Sequence, residues 1–157
     1  MPARKLKEFL DANRVPYETI AHTAAYTALE TASMAHVKGQ DLAKTVMVKI
    51  DAKLAMAVLP ASHHVDLAAL KVATGAGFVR LASEVEFRNR FPECDVGAMP
   101  PFGNLYDLPV YVEESLTQDK KIAFAAGSHN ELIKLAYEDF ARLVRPVVAR
   151  FREVKAA

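Results

Sequence analysis

The sequence predicts an α+β fold, a mixed β-sheet flanked by helices, on three observations. Segments of period-two alternation are interleaved with short helical patterns. Two of the predicted strands are joined by a tight hairpin, which brings antiparallel pairing into the sheet and argues against a purely parallel wound one. Apolar residues make up 52% of the 157, enough for one substantial core. Neither a repeat nor a linker divides the chain, so residues 1–157 are expected to form a single domain.

The elements follow in order. Leu6, Phe9, Leu10 and Val15 lie on one face of a first helix that Pro16 closes, and residues 17–22 read as a short strand. Thr27-Ala28-Leu29-Glu30 has capping-box spacing and predicts a helix over 27–36. From Ala43 to Ile50, Lys44, Val46, Val48 and Ile50 share one face, and Thr45, Met47 and Lys49 share the other. Asp51-Ala52-Lys53 is a hairpin turn, with a returning strand over 54–59 that ends at Pro60.

A helix follows His64 and stops at Gly75 and Gly77, before a strand over 78–81. Ser83-Glu84-Val85-Glu86 is a second capping box, opening a helix to about Phe91. Gly97, Pro100, Pro101 and Gly103 make residues 97–104 an ordered loop of unusual backbone. Strands are expected over 110–113, 122–126 and 131–136. A last helix over 138–144 is expected to continue past Pro146 towards Val154.

Composition bounds the function. A formal net charge of +1 excludes a general polycation, so any contact with nucleic acid rests on a local patch. Cys94 is the single cysteine, which excludes a disulfide within the chain and a thiolate-rich zinc site. His36, His63 and His64 lack ligands at helical spacing, so no metal is expected. Neither a signal-peptide pattern nor the run of ~20 apolar residues of a membrane span is present, so a cytoplasmic location without a membrane partner is expected. No glycine-rich nucleotide-binding motif occurs.

Lys44 stands on a strand face where a core residue belongs. It either snorkels its ammonium to water or lines a pocket as a cation that holds a phosphate or polarises an oxygen. The stiff 97–103 loop brings peptide groups close to a ligand, where backbone donors stabilise an oxyanion, although most such loops are turns. Gly127-Ser128-His129-Asn130 joins two strands. Adjacent Ser128 and His129 point apart on an extended backbone, so they are not a nucleophile–base pair; a polar surface turn is the plain alternative.

Leu42-Ala43-Lys44-Thr45-Val46, Val58-Leu59-Pro60-Ala61, Val65-Asp66-Leu67, Gly97-Ala98-Met99-Pro100-Pro101-Phe102-Gly103 and Gly127-Ser128-His129-Asn130 follow one another along the chain. In that order they resemble the landmarks of the YbaK/prolyl-tRNA-synthetase-associated family, over roughly residues 6–144. The resemblance implies a partly barrel-like mixed sheet and an aminoacyl-tRNA deacylase needing no cofactor. Its substrate would be a small residue (alanine, serine, threonine or cysteine class) mischarged on tRNA, typically tRNA for proline. It also implies Lys44, Gly97, Pro101 and His129 as catalytic residues, and Phe102, Gly103, Gly127 and Ser128 as substrate-binding ones. Met34 and His36, just before the lysine strand, are candidate pocket walls.

The implied partner is the acceptor end of mischarged tRNA, with prolyl-tRNA synthetase or an elongation factor as candidate protein partners. The alternative is a non-catalytic module that keeps the fold to bind tRNA or a protein.

Overall fold

The computed structural model describes residues 4–21 and 40–153. The helix expected over 27–36, with Met34 and His36, lies outside them. Among the described residues eight strands, in chain order β1 (Glu18–Ala21), β2 (Leu42–Ile50), β3 (Lys53–Pro60), β4 (Val79–Leu81), β5 (Val110–Glu113), β6 (Lys121–Ala125), β7 (Glu131–Ala136) and β8 (Val147–Ala149), form one mixed sheet arranged β1-β7-β6-β2-β3-β5-β8, with β4 paired to β2 beside that path.

Helix α1 (Arg4–Ala12) is amphipathic and buries Leu6 and Leu10. Strand β1 (Glu18–Ala21) pairs antiparallel with β7 (Glu131–Ala136). Strands β2 (Leu42–Ile50) and β3 (Lys53–Pro60) form the expected hairpin, aligned from Ala43↔Pro60 to Ile50↔Lys53. At its turn Asp51 has φ 55. Its Oδ1 accepts the amides of Gly77 and Phe78 at 3.0 and 3.1 Å, which fastens the hairpin to the start of β4 (Val79–Leu81).

Helix α2 (Leu67–Thr74) is capped at both ends. Asp66 accepts the Ala69 amide at 3.0 Å, and Gly75 closes the helix at φ 69, a conformation that costs glycine little. Helix α3 (Glu84–Phe87) begins at the second predicted capping box, where Glu86 accepts the Ser83 amide at 2.9 Å. It is shorter than expected and tightens into a 3-10 turn over Arg88–Arg90. Arg80 grips Glu86 in a fork of 2.7 and 2.6 Å, tying β4 to α3.

Strands β5 (Val110–Glu113) and β6 (Lys121–Ala125) supply the parallel pairings, β5 with β3 and β6 with β2. Helix α4 (Tyr137–Val144) follows β7 directly. The expected helical continuation beyond Pro146 is overturned. Arg145 turns the backbone left-handed at φ 54, and Val147–Ala149 form strand β8, parallel to β5. Proline removes the amide a helix needs, and β-branched valines fit a sheet edge.

Each sheet face carries its own core. On one, the Phe102 ring centroid lies 5.5 Å from those of Phe124 and Phe140 and 6.2 Å from that of Phe9, with Leu6 and Leu10 of α1 alongside. On the other, Val48, Ala55, Ala57 and Leu59 pack against Leu70 of α2 and Phe151. Glu113, buried at 2% exposure, is satisfied by backbone donors. It accepts the amides of Phe151 at 2.7 Å and Ser115 at 3.1 Å, anchoring the last segment. Among the described residues no helix is long and apolar enough to cross a membrane.

Candidate functional site

Strand β2 changes partners along one edge, and the change positions Lys44. Its first residues, Leu42 and Ala43, pair with Ala123 and Phe124 of β6; its last, from Val48 to Ile50, pair with β4. Lys44 is the first β2 residue past the parallel pairing, at the point where β2 and β6 part. Openings of this kind, where strands diverge at the carboxyl end of a parallel pair, are where sheets commonly admit ligands.

The expected apolar face holds, and Lys44 interrupts it. Val46, Val48 and Ile50 join the cluster around Leu59 and Leu70. Leu42 belongs to a small separate cluster with Ala61, Ala123 and Leu132. Lys44, opposite fully buried Leu59, stands between the two clusters along the strand. It is half-buried, and its side chain makes no ion pair or hydrogen bond among the described residues. Burial lowers its pKa below the ordinary value, because desolvation disfavours the ammonium.

On the opposite face the next residue, Thr45, has a buried hydroxyl oxygen without a hydrogen-bond partner. The sequence reading passed over it because threonine is an ordinary strand residue. Its signal is position alone, next to Lys44 at the parting of the strands.

Strand β6 runs on from that point into the turn that carries Gly127, Ser128 and His129. This turn and the 97–103 loop are stitched together. The Asp95 amide donates to the Gly127 carbonyl at 2.8 Å, and the Gly127 amide donates to the Ala98 carbonyl at 2.8 Å. The Asp95 carboxylate accepts the His129 amide at 3.3 Å. Gly97 and Gly127 both have left-handed backbones, φ 85 and 98, which explains glycine at these two positions. Asp95 was not among the sequence candidates, since an acid two residues before a glycine reads as part of a surface turn.

The structure therefore brings Gly97, Gly127 and His129 together. A Cβ built on Gly97 would lie 3.6 Å from Cε1 of His129. Ser128 donates its hydroxyl to Asn130 Oδ1 at 2.8 Å, within the turn. Neither Gly97 nor Ser128 uses its amide in a backbone hydrogen bond among the described residues. Pro101 is buried in the loop.

Two expectations need correction. Phe102, which the resemblance implied as substrate-binding, has 0% exposure and centres the aromatic core. Gly103 is also buried, and a Cβ there would meet the Leu108 carbonyl oxygen at 2.5 Å and Val110 Cγ2 at 2.6 Å. Both anchor the loop from behind and are shut off from a ligand.

A separate groove is lined by Glu113, Glu114, Ser115, Arg150 and Arg152 among others. Its charges are paired internally, Arg150 with Glu114 and Arg152 with Glu113, so it offers little unspent charge to a ligand. Among the described residues no three His, Cys, Asp or Glu side chains gather as a metal-binding group. Cys94 sits beside the Tyr106 hydroxyl at 3.7 Å, and burial raises its thiol pKa, which disfavours the thiolate.

Comparison with known proteins gives this geometry its family. Residues 22–143 match the aminoacyl-tRNA editing domain family. A proline--tRNA ligase of Bacillus mycoides is 26% identical over 87 residues, 55% of this chain and 15% of that protein. One of Bacillus cytotoxicus is 28% identical over the same extent. The chain thus spans about 15% of the length of these curated relatives.

Among solved structures, the hypothetical protein APE2540 superposes with a TM-score of 0.85 at 24% identity, covering 96% of this chain and 100% of that one. "A putative trans-editing enzyme for prolyl tRNA synthetase" superposes at 0.83 with 20% identity, covering 98% of each. These likenesses establish the fold, and the match over residues 22–143 establishes the lineage: the chain belongs to the aminoacyl-tRNA editing domain family.

Proposed function

We propose that the chain is a trans-editing aminoacyl-tRNA deacylase. It hydrolyses the ester that joins a small amino acid, of the alanine, serine, threonine or cysteine class, to the wrong tRNA, which is tRNA for proline. The carrying observation is Lys44, a half-buried cation without a counter-charge among the described residues, standing where β2 and β6 part. A solvated lysine would serve as well anywhere on the surface. One that is partly desolvated on an apolar face costs stability, which makes sense if an anion completes it.

An aminoacyl ester is already activated, so the protein has to position water and stabilise the oxyanion. Water attacks the carbonyl carbon, the bond to the ribose oxygen breaks, and that oxygen leaves with a proton. In this reading the 97–101 backbone positions the ester carbonyl and the terminal ribose. The Gly97 and Ser128 amides are available as oxyanion donors. Lys44 holds the terminal nucleotide's phosphate, and Ser128 with His129 shapes the amino-acid pocket. A pocket of this kind excludes large residues by size but separates alanine from serine by only ~1–3 kcal/mol.

Proline's tRNA is favoured because the matched curated relatives are proline--tRNA ligases and one structural neighbour bears the name of a trans-editing enzyme for that synthetase. A partnership with prolyl-tRNA synthetase or an elongation factor follows from the same reading, as does work in the cytoplasm. The test is a panel of tRNAs charged with labelled alanine, serine, threonine, cysteine and proline, incubated with the purified protein. Loss of label from a mischarged tRNA for proline is the expected result. Label retained on every tRNA would make the chain a binding module instead.

A further inference from the structure

Resting on the deacylase reading, we infer that Asp95 is a positioning residue for the reaction, the node that fixes His129 over Gly97. Three bonds meet at this one residue. Its amide donates to the Gly127 carbonyl at 2.8 Å, and its carbonyl accepts the Ala98 amide at 3.0 Å. Its carboxylate Oδ2 accepts the His129 amide at 3.3 Å. The first two are main-chain bonds that any residue at this position makes; the third needs an acceptor on the side chain.

That third bond has a specific consequence. Gly97 has no side chain, and its left-handed backbone lets the loop pass within van der Waals reach of the His129 ring, with Cε1 3.6 Å from where a Cβ would stand. Nothing on Gly97 can hold the ring in place. Asp95 acts on His129 from the main chain, holding its backbone by the amide and so the point from which the ring projects. A carboxylate accepting a peptide N–H is a charge-assisted bond, stronger than a neutral one. Asp95 is exposed and lies outside the sheet, so the core does not depend on it. It precedes the 97–103 motif and belongs to none of the sequence landmarks.

The experiment compares Asp95→Ala, which removes the acceptor, with Asp95→Asn, which keeps an acceptor oxygen. Turnover of mischarged tRNA by Asp95→Ala is expected to fall in kcat by about 10- to 100-fold, with KM within about twofold and the melting temperature unchanged. Asp95→Asn is expected to recover most of the loss. Amide exchange at His129, read by NMR, is expected to quicken in Asp95→Ala and to return towards the parent rate in Asp95→Asn.

Equal kcat in Asp95→Ala and the parent would overturn the inference, as would unchanged exchange at His129 or an Asp95→Asn variant as impaired as Asp95→Ala. A parent protein that deacylates nothing overturns the deacylase reading and the catalytic part of the inference with it. The exchange rates still decide whether Asp95 holds His129.

Discussion

The His129 ring lies against the backbone of Gly97, its Cε1 3.6 Å from the place a Cβ would occupy. This contact joins two loops that are far apart in sequence, and it separates strain from crowding. At Gly97 there is room for a methyl group, but φ is 85. At Gly103 the space itself is filled, by the Leu108 carbonyl at 2.5 Å.

Gly97→Ala is therefore expected to fold, at a cost of about 1–2 kcal/mol in urea unfolding, and to lose deacylation through the displaced loop. Gly103→Ala is expected to cost more, because backbone rather than a pliable side chain stands in the way. An equal cost for the two substitutions in the same unfolding assay would contradict this ranking.

Lys44 links function to stability with opposite signs. Its ammonium gives up its proton more readily in the folded chain than at the ordinary value of 10.5. Between the folded value and 10.5 the unfolded chain holds more protons, so stability rises with pH across that window. Below the window the desolvation penalty is present in full. Lys44→Met is expected to melt at or above the parent temperature at neutral pH while deacylation is abolished. A melting temperature below the parent's, or retained hydrolysis, would count against the assigned role.

Asp119 gives a pH dependence of the other kind. Its carboxyl is pushed up to about 6 from the usual 3.8, first by burial and then by the Asp41 carboxylate, and its Oδ2 is buried without a hydrogen-bond partner. The folded chain holds this proton more tightly than the unfolded one. Stability therefore falls as pH rises from about 4 to about 6 and changes no further above that. Asp119→Asn is expected to stabilise by roughly 1 kcal/mol at pH 7.5, after allowing for solvent screening of a half-exposed group. At pH 4 the gain should vanish. Urea titrations at both values check this, and an equal gain at both would refute the titration argument.

Much of the sheet was legible in the sequence. Alternation located β2 with its hairpin, because a strand with two distinct faces writes them into the residue order, and β7 lies over 131–136 as expected. The second capping box and Gly75 marked helix ends for an equally local reason. The stretch after Pro146 was misread because Val147 and Val148 take their strand from pairing with Tyr111 and Val112, a partner remote in sequence.

The site was legible in part. Lys44 announced itself by breaking a face, whereas Phe102 was a candidate only through the family resemblance. Its place in the core depends on the meeting of Phe9, Phe124 and Phe140 around it, residues remote in sequence. Asp95 left no trace in the pattern, since its importance lies in bonds to residues beyond position 126.

The main-chain seam between the two loops has an evolutionary consequence. The bonds from Asp95 to the Gly127 carbonyl and from Gly127 to the Ala98 carbonyl run peptide to peptide. They make no use of the side chains at 96 and 128, whereas Ala98, at 1% exposure, has no room for a larger one. On the proposed deacylase reading, a lineage can change the side chains around the amino acid, residue by residue, without dismantling the frame proposed to hold the ester.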